Sequence, residues 1–259
     1  MSIQKSWSEL QTMARACRIV VETLDLLEAA AQPGVTTREL DRVAREAIEK
    51  AGARPAFLGY RGYPATLCIS VNEEIVHGIP GPKKLQEGDI VGLDLGCVVD
   101  GFYGDAARTV AVGRTSAEAE RLMRVTREAL FAGIDLCRPG KRVGDIGHAV
   151  QTHAESFGYS VVKDFVGHGI GTSLHEEPQV PNYGPAGRRE RLVPGMCLAI
   201  EPMLNVGRAE VEVLADGWTA VTRDGSLSAH FELSVAVTEA GPWILSEPYP
   251  YAREEAANA

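Results

Sequence analysis

Four carboxylates and one imidazole, far apart along the chain, each lie in an apolar or glycine-rich segment. They are Asp94, Asp105, His168, Glu201 and Glu232. Burying a lone carboxylate is costly, so buried carboxylates are usually paired or bound to metal. Four carboxylates offset the charge of two divalent cations. A fold that buries these five side chains together is therefore expected to hold a dinuclear metal site, and such sites usually activate water for hydrolysis.

Composition narrows the class of protein. The chain has 259 residues, of which 45% are hydrophobic, enough for one large domain or two small ones. Its net charge of −9 disfavours a nucleic-acid-binding surface. No apolar run is long enough for a membrane helix, and no signal peptide is evident. The five cysteines are scattered and form no CxxC motif, which indicates reduced thiols and a cytoplasmic location.

Helix and strand signals alternate along the chain in two rounds. Capping boxes begin helices at Ser6 and Thr36, and two more helices are expected from about residue 115 and residue 144. Strand-rich stretches follow each helix pair, at about 64–112 and 160–240. This order predicts an α+β fold with two similar halves around one antiparallel sheet. We expect a single domain over residues 1–250 and a flexible tail at 251–259.

The two aspartates are expected to lie on one hairpin. If the hairpin turn has four residues, Cys97 pairs with Phe102, and Asp94 then lies directly opposite Asp105. Their Cβ atoms would be about 4.5–5.5 Å apart. That separation suits two metal ions about 3.5–4 Å apart. The alternative is a structural salt bridge with Arg108.

The other three residues leave more than one interpretation open. His168 has glycine on both sides, which would let other groups approach closely, but a glycine-rich turn with a core histidine gives the same pattern. Glu201 and Glu232 are each the one acid in an apolar, strand-like run, where a buried ion pair is the alternative. A phosphate-binding loop is not favoured, because the glycine spacing around His168 does not fit G-x-G-x-x-G.

Eight short motifs together are much more specific than any one of them. In chain order they are Gly59–Pro64, Cys68–Glu73, His77–Pro80, Asp94–Gly96, Gly167–Gly171, His175–Gln179, Glu201–Pro202 and Asp216–Trp218. With them the sequence resembles the type I methionine aminopeptidases over nearly its whole length. The resemblance implies the pita-bread fold, in which two pseudo-symmetric αβ halves surround a curved antiparallel sheet.

The resemblance also implies a metal centre and a reaction. The five residues named first would bind two divalent ions (Co, Mn, Fe or Zn), with Asp105 and Glu232 bridging them. Glu201 would also accept a proton from water, His175 would stabilise the developing oxyanion, and His77 would contact the peptide backbone near the second residue. The implied reaction is removal of the initiator methionine from nascent proteins with a small second residue.

Further residues complete the expected site. An apolar methionine pocket would be formed by Tyr60, Tyr63, Cys68 and Trp218, with Phe57 and Leu174 as further candidates. His230 would lie beside Glu232 as a supporting group and not as a ligand. The family can also bind a monovalent cation, here at Asn72, Glu74 and Ser228.

Two alternatives remain, an Xaa-Pro aminopeptidase-like enzyme and an inactive pita-bread binding protein. The first commonly has an additional N-terminal domain, for which there is no room before Asp94. The second would have lost metal ligands, and all five are present. Glu201 follows His168 by 33 residues, too few for the insertion of type II enzymes.

The expected partners are N-terminal methionine peptides, nascent chains and, transiently, the ribosome. Neither nucleic acid nor membrane is expected to bind, and we expect a monomer.

Overall fold

The computed structural model describes residues 4–250, so the expected tail at 251–259 lies outside the described residues. Within that range there are four α-helices: α1 (Trp7–Ala30), α2 (Thr37–Lys50), α3 (Ala117–Ile134) and α4 (Val143–Ser156). The strands are β1 (Arg54–Pro55), β2 (Cys68–Val71), β3 (Glu74–Val76), β4 (Ile90–Val99), β5 (Phe102–Ala111), β6 (Ser160–Val161), β7 (Gly167–Gly169), β8 (Glu176–Val180), β9 (Cys197–Ile200), β10 (Met203–Asn205), β11 (Val211–Val213), β12 (Ala220–Thr222), β13 (Ser228–His230), β14 (Glu232–Val237) and β15 (Pro242–Ile244).

The helices begin where the capping signals predicted. The Ser6 backbone N–H donates to Glu9 Oε2 at 2.7 Å at the start of α1. Before α2, the Thr36 N–H donates to Glu39 Oε2 at 2.7 Å, and the Glu39 N–H donates back to Thr36 Oγ1 at 3.2 Å. These bonds satisfy N–H groups that have no partner within the helix. None of the helices in residues 4–250 is long and apolar enough to span a membrane.

The central element is an antiparallel sheet of nine strands. Its main order is β1-β4-β5-β14-β9-β7-β8, with β2 also paired to β4 and β15 to β14. Two smaller sheets, β13-β10-β6 and β11-β12-β3, accompany it. The α+β fold class is thus confirmed, while the two small sheets are additions that the order of elements did not indicate.

Each helix pair covers one half of the central sheet. Buried side chains of α1 and α2 pack on β4 and β5, as Leu24 and Leu93 do in one cluster. Those of α3 and α4 pack on β9 and β14, with Ile146 and Ile200 in another cluster.

The β4–β5 hairpin differs from its expected register. Val99 pairs with Phe102 across a two-residue turn, Asp100-Gly101, in which φ is 49° and 82°. Two successive positive φ values are typical of the type I′ turn that suits the twist of a tight hairpin. The expected pairing of Asp94 with Asp105 is therefore wrong.

Candidate metal centre and substrate pocket

Three of the carboxylates reach one face of the sheet through strand pairing. Asp94 lies opposite Ala107, and Asp105 lies opposite Gly96. On the other side of β5, Glu232 also lies opposite Ala107. The register differs from the expected one by two residues, an even number, so both aspartates stay on the same face. They are diagonal neighbours instead of direct partners.

The remaining two ligand candidates come from the other half of the sheet. His168 pairs with Ala199 of β9, and Glu201 follows two residues after Ala199, where side chains return to the same face. Gly167 and Gly169 allow this close pairing. A Cβ atom would lie 2.3 Å from the Ala199 carbonyl oxygen at Gly167 and 2.4 Å from the Glu177 carbonyl oxygen at Gly169. The glycines thus make room for neighbouring strands and not, as expected, for groups approaching the imidazole.

His168 is held in a form suited to binding metal. Its Nδ1 lies 2.9 Å from the Gly169 carbonyl oxygen, to which it donates a hydrogen bond. This leaves the lone pair on Nε2, which lies 3.6 Å from Glu201 Oε1 and 3.9 Å from Asp105 Oδ2. Arg108, the expected alternative partner of the aspartates, instead pairs with Asp25 and Glu28 on α1.

The donor atoms form two overlapping groups. In the first, atoms of Asp105, His168 and Glu232 all lie within 4.8 Å of one another; in the second, atoms of Glu201, His230 and Glu232 do so. Glu232 belongs to both groups, whereas Asp105, the other residue expected to bridge, belongs to the first group only. Asp94 belongs to neither group, although its side chain lines the same cavity.

Unpaired buried atoms show that the donor set fits a cation. In residues 4–250, seven buried side-chain N and O atoms have no hydrogen-bond partner. Four of the seven belong to this cluster: Asp94 Oδ1, Asp105 Oδ1, Glu232 Oε1 and His230 Nε2. Buried polar atoms are nearly always paired. Carboxylate oxygens and imidazole nitrogens that face one another without partners are suited to divalent cations.

Ionisation of the four acids in the cluster is strongly disfavoured. Burial raises the pKa of Asp94 to about 7. Burial and then the neighbouring carboxylates raise the pKa values of Asp105 and Glu232 well above their usual range, and burial followed by Asp94 does the same for Glu201. Burial lowers the pKa of His168 to about 3, which keeps the ring neutral. Divalent cations would reverse the preference of the acids, because opposite charge favours the ionised carboxylate.

His230 lies at the edge of the cluster and faces Glu201. Its Nε2 is 3.7 Å from Glu201 Oε2, and Thr109 fixes its backbone with two hydrogen bonds of 2.8 and 2.9 Å. The expectation had placed it beside Glu232. Both glutamates lie in its donor group, whose three side chains together could hold a metal ion.

A cavity of about 160 Å³ connects the carboxylates with an apolar pocket. It is lined by Phe57, Tyr60, Arg61, Tyr63, Cys68, His77, Asp94, Asp105, His168, Leu174, His175, Glu201, Trp218 and Glu232. Every expected metal, catalytic and pocket residue is thus brought together. Arg61 is the lining residue that sequence reasoning missed, since one arginine in a glycine-rich turn gave no signal of its own.

Contacts between aromatic rings connect the metal cluster with the mouth of the pocket. The His168 and His175 ring centroids are 4.1 Å apart, and Tyr60 stacks on His175 at 5.3 Å. The Tyr60 hydroxyl also lies 2.8 Å from His175 Nδ1, so Nε2 is the ring atom left to meet a substrate. Burial, then Arg61, lowers the pKa of His175. Burial lowers the pKa of His77, on the other side of the pocket, to about 4.

Two larger openings contain at most one of the expected ligands, Glu232. Grooves of about 830 and 500 Å³ lie between α1 and α3, on the helical side of the sheet. Both groups of candidate ligands found in residues 4–250 lie in the cluster described above. The expected monovalent-cation residues lie in a separate place, where the Ser228 N–H donates to the Asn72 carbonyl at 3.0 Å. The Glu74 carboxylate there pairs with Lys83 at 2.9 Å.

Comparison with known proteins agrees with this site. The sequence model of Metallopeptidase family M24 matches residues 11–239. The methionine aminopeptidase of Clostridium acetobutylicum is 52% identical over 247 residues, which is 95% of this chain and 99% of that protein.

Superposition on solved structures supports the same family and its fold. The methionine aminopeptidase of Thermotoga maritima superimposes with a TM-score of 0.94 at 46% identity, covering 96% of this chain and all of that one. The prolidase of Pyrococcus furiosus shares the fold, with a TM-score of 0.77, but is 22% identical and only 66% covered. The expected pita-bread fold is confirmed. The chain belongs to metallopeptidase family M24 and, within it, to the methionine aminopeptidases.

Proposed function

We propose that this protein removes the N-terminal methionine from peptides and nascent proteins whose second residue is small. The observation that carries the proposal is the cavity itself. It has four carboxylates and an imidazole at one end and apolar side chains at the other. A substrate held in the apolar end would have its first peptide bond beside the acids.

Membership of the metallopeptidase family implies that the enzyme uses divalent metal. We assign Asp94, Asp105, His168, Glu201 and Glu232 as the residues that would hold two ions. When bound, divalent ions act as Lewis acids and make water nucleophilic near neutral pH. Oxygen ligands with one imidazole suit Mn, Fe, Co or Zn, so the ligand set does not select one of these metals.

The protein's own groups would move the proton and bind the carbonyl. Glu201 lies at the cavity wall, where its carboxylate can accept a proton from the attacking water and pass it to the leaving amine. His175 would donate a hydrogen bond to the scissile carbonyl oxygen and stabilise the charge that develops there. His77, on the opposite side near Trp218, would contact the backbone of the second residue.

The apolar end of the cavity is suited to a methionine side chain. Tyr63, Cys68, Leu174 and Phe57 are buried there in one cluster, with Tyr60 and Trp218 packed against it. An unbranched thioether fills such a narrow, irregular space and makes favourable contacts with aromatic rings. Restriction of the second residue to small side chains is consistent with the small size of the cavity.

His230 would orient Glu201 without binding an ion. Its Nε2 can donate to Glu201 Oε2 after a movement of less than about 1 Å, given the usual N–H···O distance. Replacing His230 with Gln keeps a donor at that place, so the number of bound ions should not change. Loss of one ion from His230→Gln would show instead that the imidazole is a ligand.

Other properties are part of the same proposal. All five cysteines are free and buried, which is consistent with a reducing cytoplasm. We place residues 4–250 in one domain, because one nine-stranded sheet runs through both halves. A monomer that meets nascent chains at the ribosome, and a monovalent cation near Asn72, Glu74 and Ser228, remain proposals that rest on the family resemblance.

The test is a comparison of three peptides, Met-Ala-Ser, Met-Leu-Ser and Ala-Pro-Ser, with metal-free and metal-reconstituted protein. We expect methionine to be released from Met-Ala-Ser only, and only with metal. The released amino acid is identified by chromatography, with a chelator-treated sample as the control.

Two other results would each assign the protein a different function. Preferred cleavage of Ala-Pro-Ser would place the protein among the Xaa-Pro peptidases, whose fold it shares at low identity. Binding of metal without cleavage of any peptide would indicate an inactive binding protein.

A further inference from the structure

A buried ion pair lies beneath the loop that carries His175. Lys5 Nζ is 2.5 Å from Glu176 Oε2, and the two side chains are only 3% and 9% exposed. Lys5 precedes α1, whereas Glu176 is the first residue of β8 and directly follows His175. The pair therefore joins the start of the described chain to the edge of the substrate pocket.

Both partners of this pair are fixed by their own backbone contacts. The Lys5 N–H donates to the Gly195 carbonyl oxygen at 2.7 Å, just before β9. The other Glu176 oxygen, Oε1, accepts hydrogen bonds from the N–H groups of Thr172 at 2.8 Å and Ser173 at 3.2 Å. One carboxylate thus closes the 170–175 loop with one oxygen and binds the ammonium group with the other.

The lysine also fills space that the loop leaves for it. A Cβ atom on Gly171 would lie 2.2 Å from Lys5 Cε and 2.5 Å from Nζ. Only glycine at that position lets the ammonium group lie directly against the loop backbone. The Gly171 carbonyl oxygen meanwhile accepts a hydrogen bond from the Tyr103 N–H at 2.8 Å.

The start of this loop is also anchored by the buried Ile170, whose N–H donates to the Cys197 carbonyl oxygen at 3.1 Å, whereas its tip is held mainly through Glu176. Thr172 and Ser173 are exposed, and so is His175, whereas Leu174 and Gly171 are buried. The His175 side chain makes one hydrogen bond, to the Tyr60 hydroxyl, and its ring contacts that of His168 at an angle of 42°. Its distance from the scissile carbonyl must be set to a fraction of an ångström if it is to stabilise the transition state.

We propose that Lys5 is a positioning residue, which holds the 170–175 loop through Glu176 and so sets the place of His175 in the active site. This rests on the proposed function, since His175 acts on the scissile carbonyl there. Without the ammonium group, Glu176 would be a buried carboxylate lacking its charge partner. The carboxylate would then turn towards water and release Thr172 and Ser173. The 170–175 loop contains none of the proposed metal ligands, so the number of bound ions should not change.

The test compares Lys5→Met and Lys5→Arg with the wild-type protein loaded with Mn(II). For Lys5→Met we expect kcat on Met-Ala-Ser to fall at least about tenfold, with KM changed less than about twofold. Metal stoichiometry should be unchanged, and amide hydrogen exchange over residues 170–176 should be faster. Lys5→Arg keeps the charge and should recover most of kcat.

A matched control separates positioning from general destabilisation. Leu122→Ala removes a fully buried side chain of α3, far from the pair. The proposal is overturned if Lys5→Met keeps its kcat, or if Leu122→Ala with an equal loss of Tm lowers kcat as much. If Lys5→Met does not fold, Glu176→Gln decides the question by the same readouts. Wild-type protein that fails to cleave Met-Ala-Ser would refute the proposed function, while the exchange rates would still test the role of Lys5.

Discussion

At the scale of single residues, the buried acids of the metal cluster destabilise the metal-free protein, but the same acids are the ligands that the metal ions need. Asp105 and Glu232 are buried, and each has an oxygen without a hydrogen bond. Burial raises the pKa of both; Asp94 and Glu201 raise that of Asp105 further, and Asp105 raises that of Glu232 further. Removing one carboxylate should relieve this repulsion in the metal-free protein. The same removal takes away a ligand that the loaded protein needs.

We therefore expect Asp105→Asn to have opposite effects in the two states. The metal-free variant should unfold at a higher temperature than metal-free wild type, by about 2–4 °C for each kcal/mol of repulsion removed. With Mn(II) present, the order should reverse, because only wild type gains the binding energy of both ions. Calorimetry on both proteins, with and without metal, checks this. A metal-free variant less stable than wild type would contradict the account of the cluster.

The residues of the site could be predicted from the sequence for a physical reason. An acid inside an apolar strand, such as Glu201 or Glu232, requires a partner, and that requirement is visible without a structure. Lys5 and Arg61 carried no such signal. A charged residue near a helix start or in a turn is ordinary, and only the fold brings Lys5 to Glu176.

At the scale of elements, strand spacing placed the ligands and local turn chemistry set the register. The type I′ turn at Asp100-Gly101 moves the β4–β5 pairing by two residues from the expected register. The same-face prediction was confirmed because side chains alternate with a period of two. The predicted pairing of Asp94 with Asp105 was wrong because it assumed a four-residue turn, whereas the turn has two residues. Helix starts were predicted correctly, since capping is a local property.

The glycines of β7 give a prediction at this scale. In Gly169→Ala the new Cβ would clash with backbone atoms of Glu177, which cannot move aside as a flexible side chain can. We expect β7 and β8 to separate, at a cost of about 1–3 kcal/mol, and His168 to lose its place at the metal site.

The control for this variant is Gly81→Ala, whose Cβ would meet nothing closer than 3.9 Å. It should change the free energy of unfolding by less than about 0.5 kcal/mol. Urea unfolding and metal titration of both variants test the comparison. Full metal affinity in Gly169→Ala would refute the packing role assigned to this glycine.

At the scale of the whole molecule, folding and metal binding depend on the same protons. The pKa of Asp94 rises on folding to about 7, and the pKa values of Asp105, Glu201 and Glu232 rise well above their usual range. The folded metal-free protein then binds more protons than the unfolded chain, so its stability falls as pH rises above about 4. Buried histidines act the other way: burial lowers the pKa of His168 to about 3, so its contribution rises until about pH 6.5 and is constant above it.

Between about pH 6.5 and pH 8, only the acidic groups still make the stability of the metal-free protein depend on pH. The Tm of the metal-free protein should fall across this window, because the folded state keeps protons on these carboxyl groups that the unfolded chain has already released. The Tm of the metal-loaded protein should change less, since the cations favour the ionised form. Thermal unfolding at several pH values, with chelator or with Mn(II), gives both curves. Parallel curves would mean that the acids do not bind the ions.

The most direct test is a titration of metal-free protein with Mn(II), in which bound metal and release of methionine from Met-Ala-Ser are followed together. We predict no release without metal, binding that saturates at two ions per chain, and activity that rises only as ions bind. Asp105→Asn, measured alongside, should bind fewer ions and release no methionine. Release of methionine by fully metal-free protein, or full activity in Asp105→Asn, would contradict the assignment of this cluster as the metal centre.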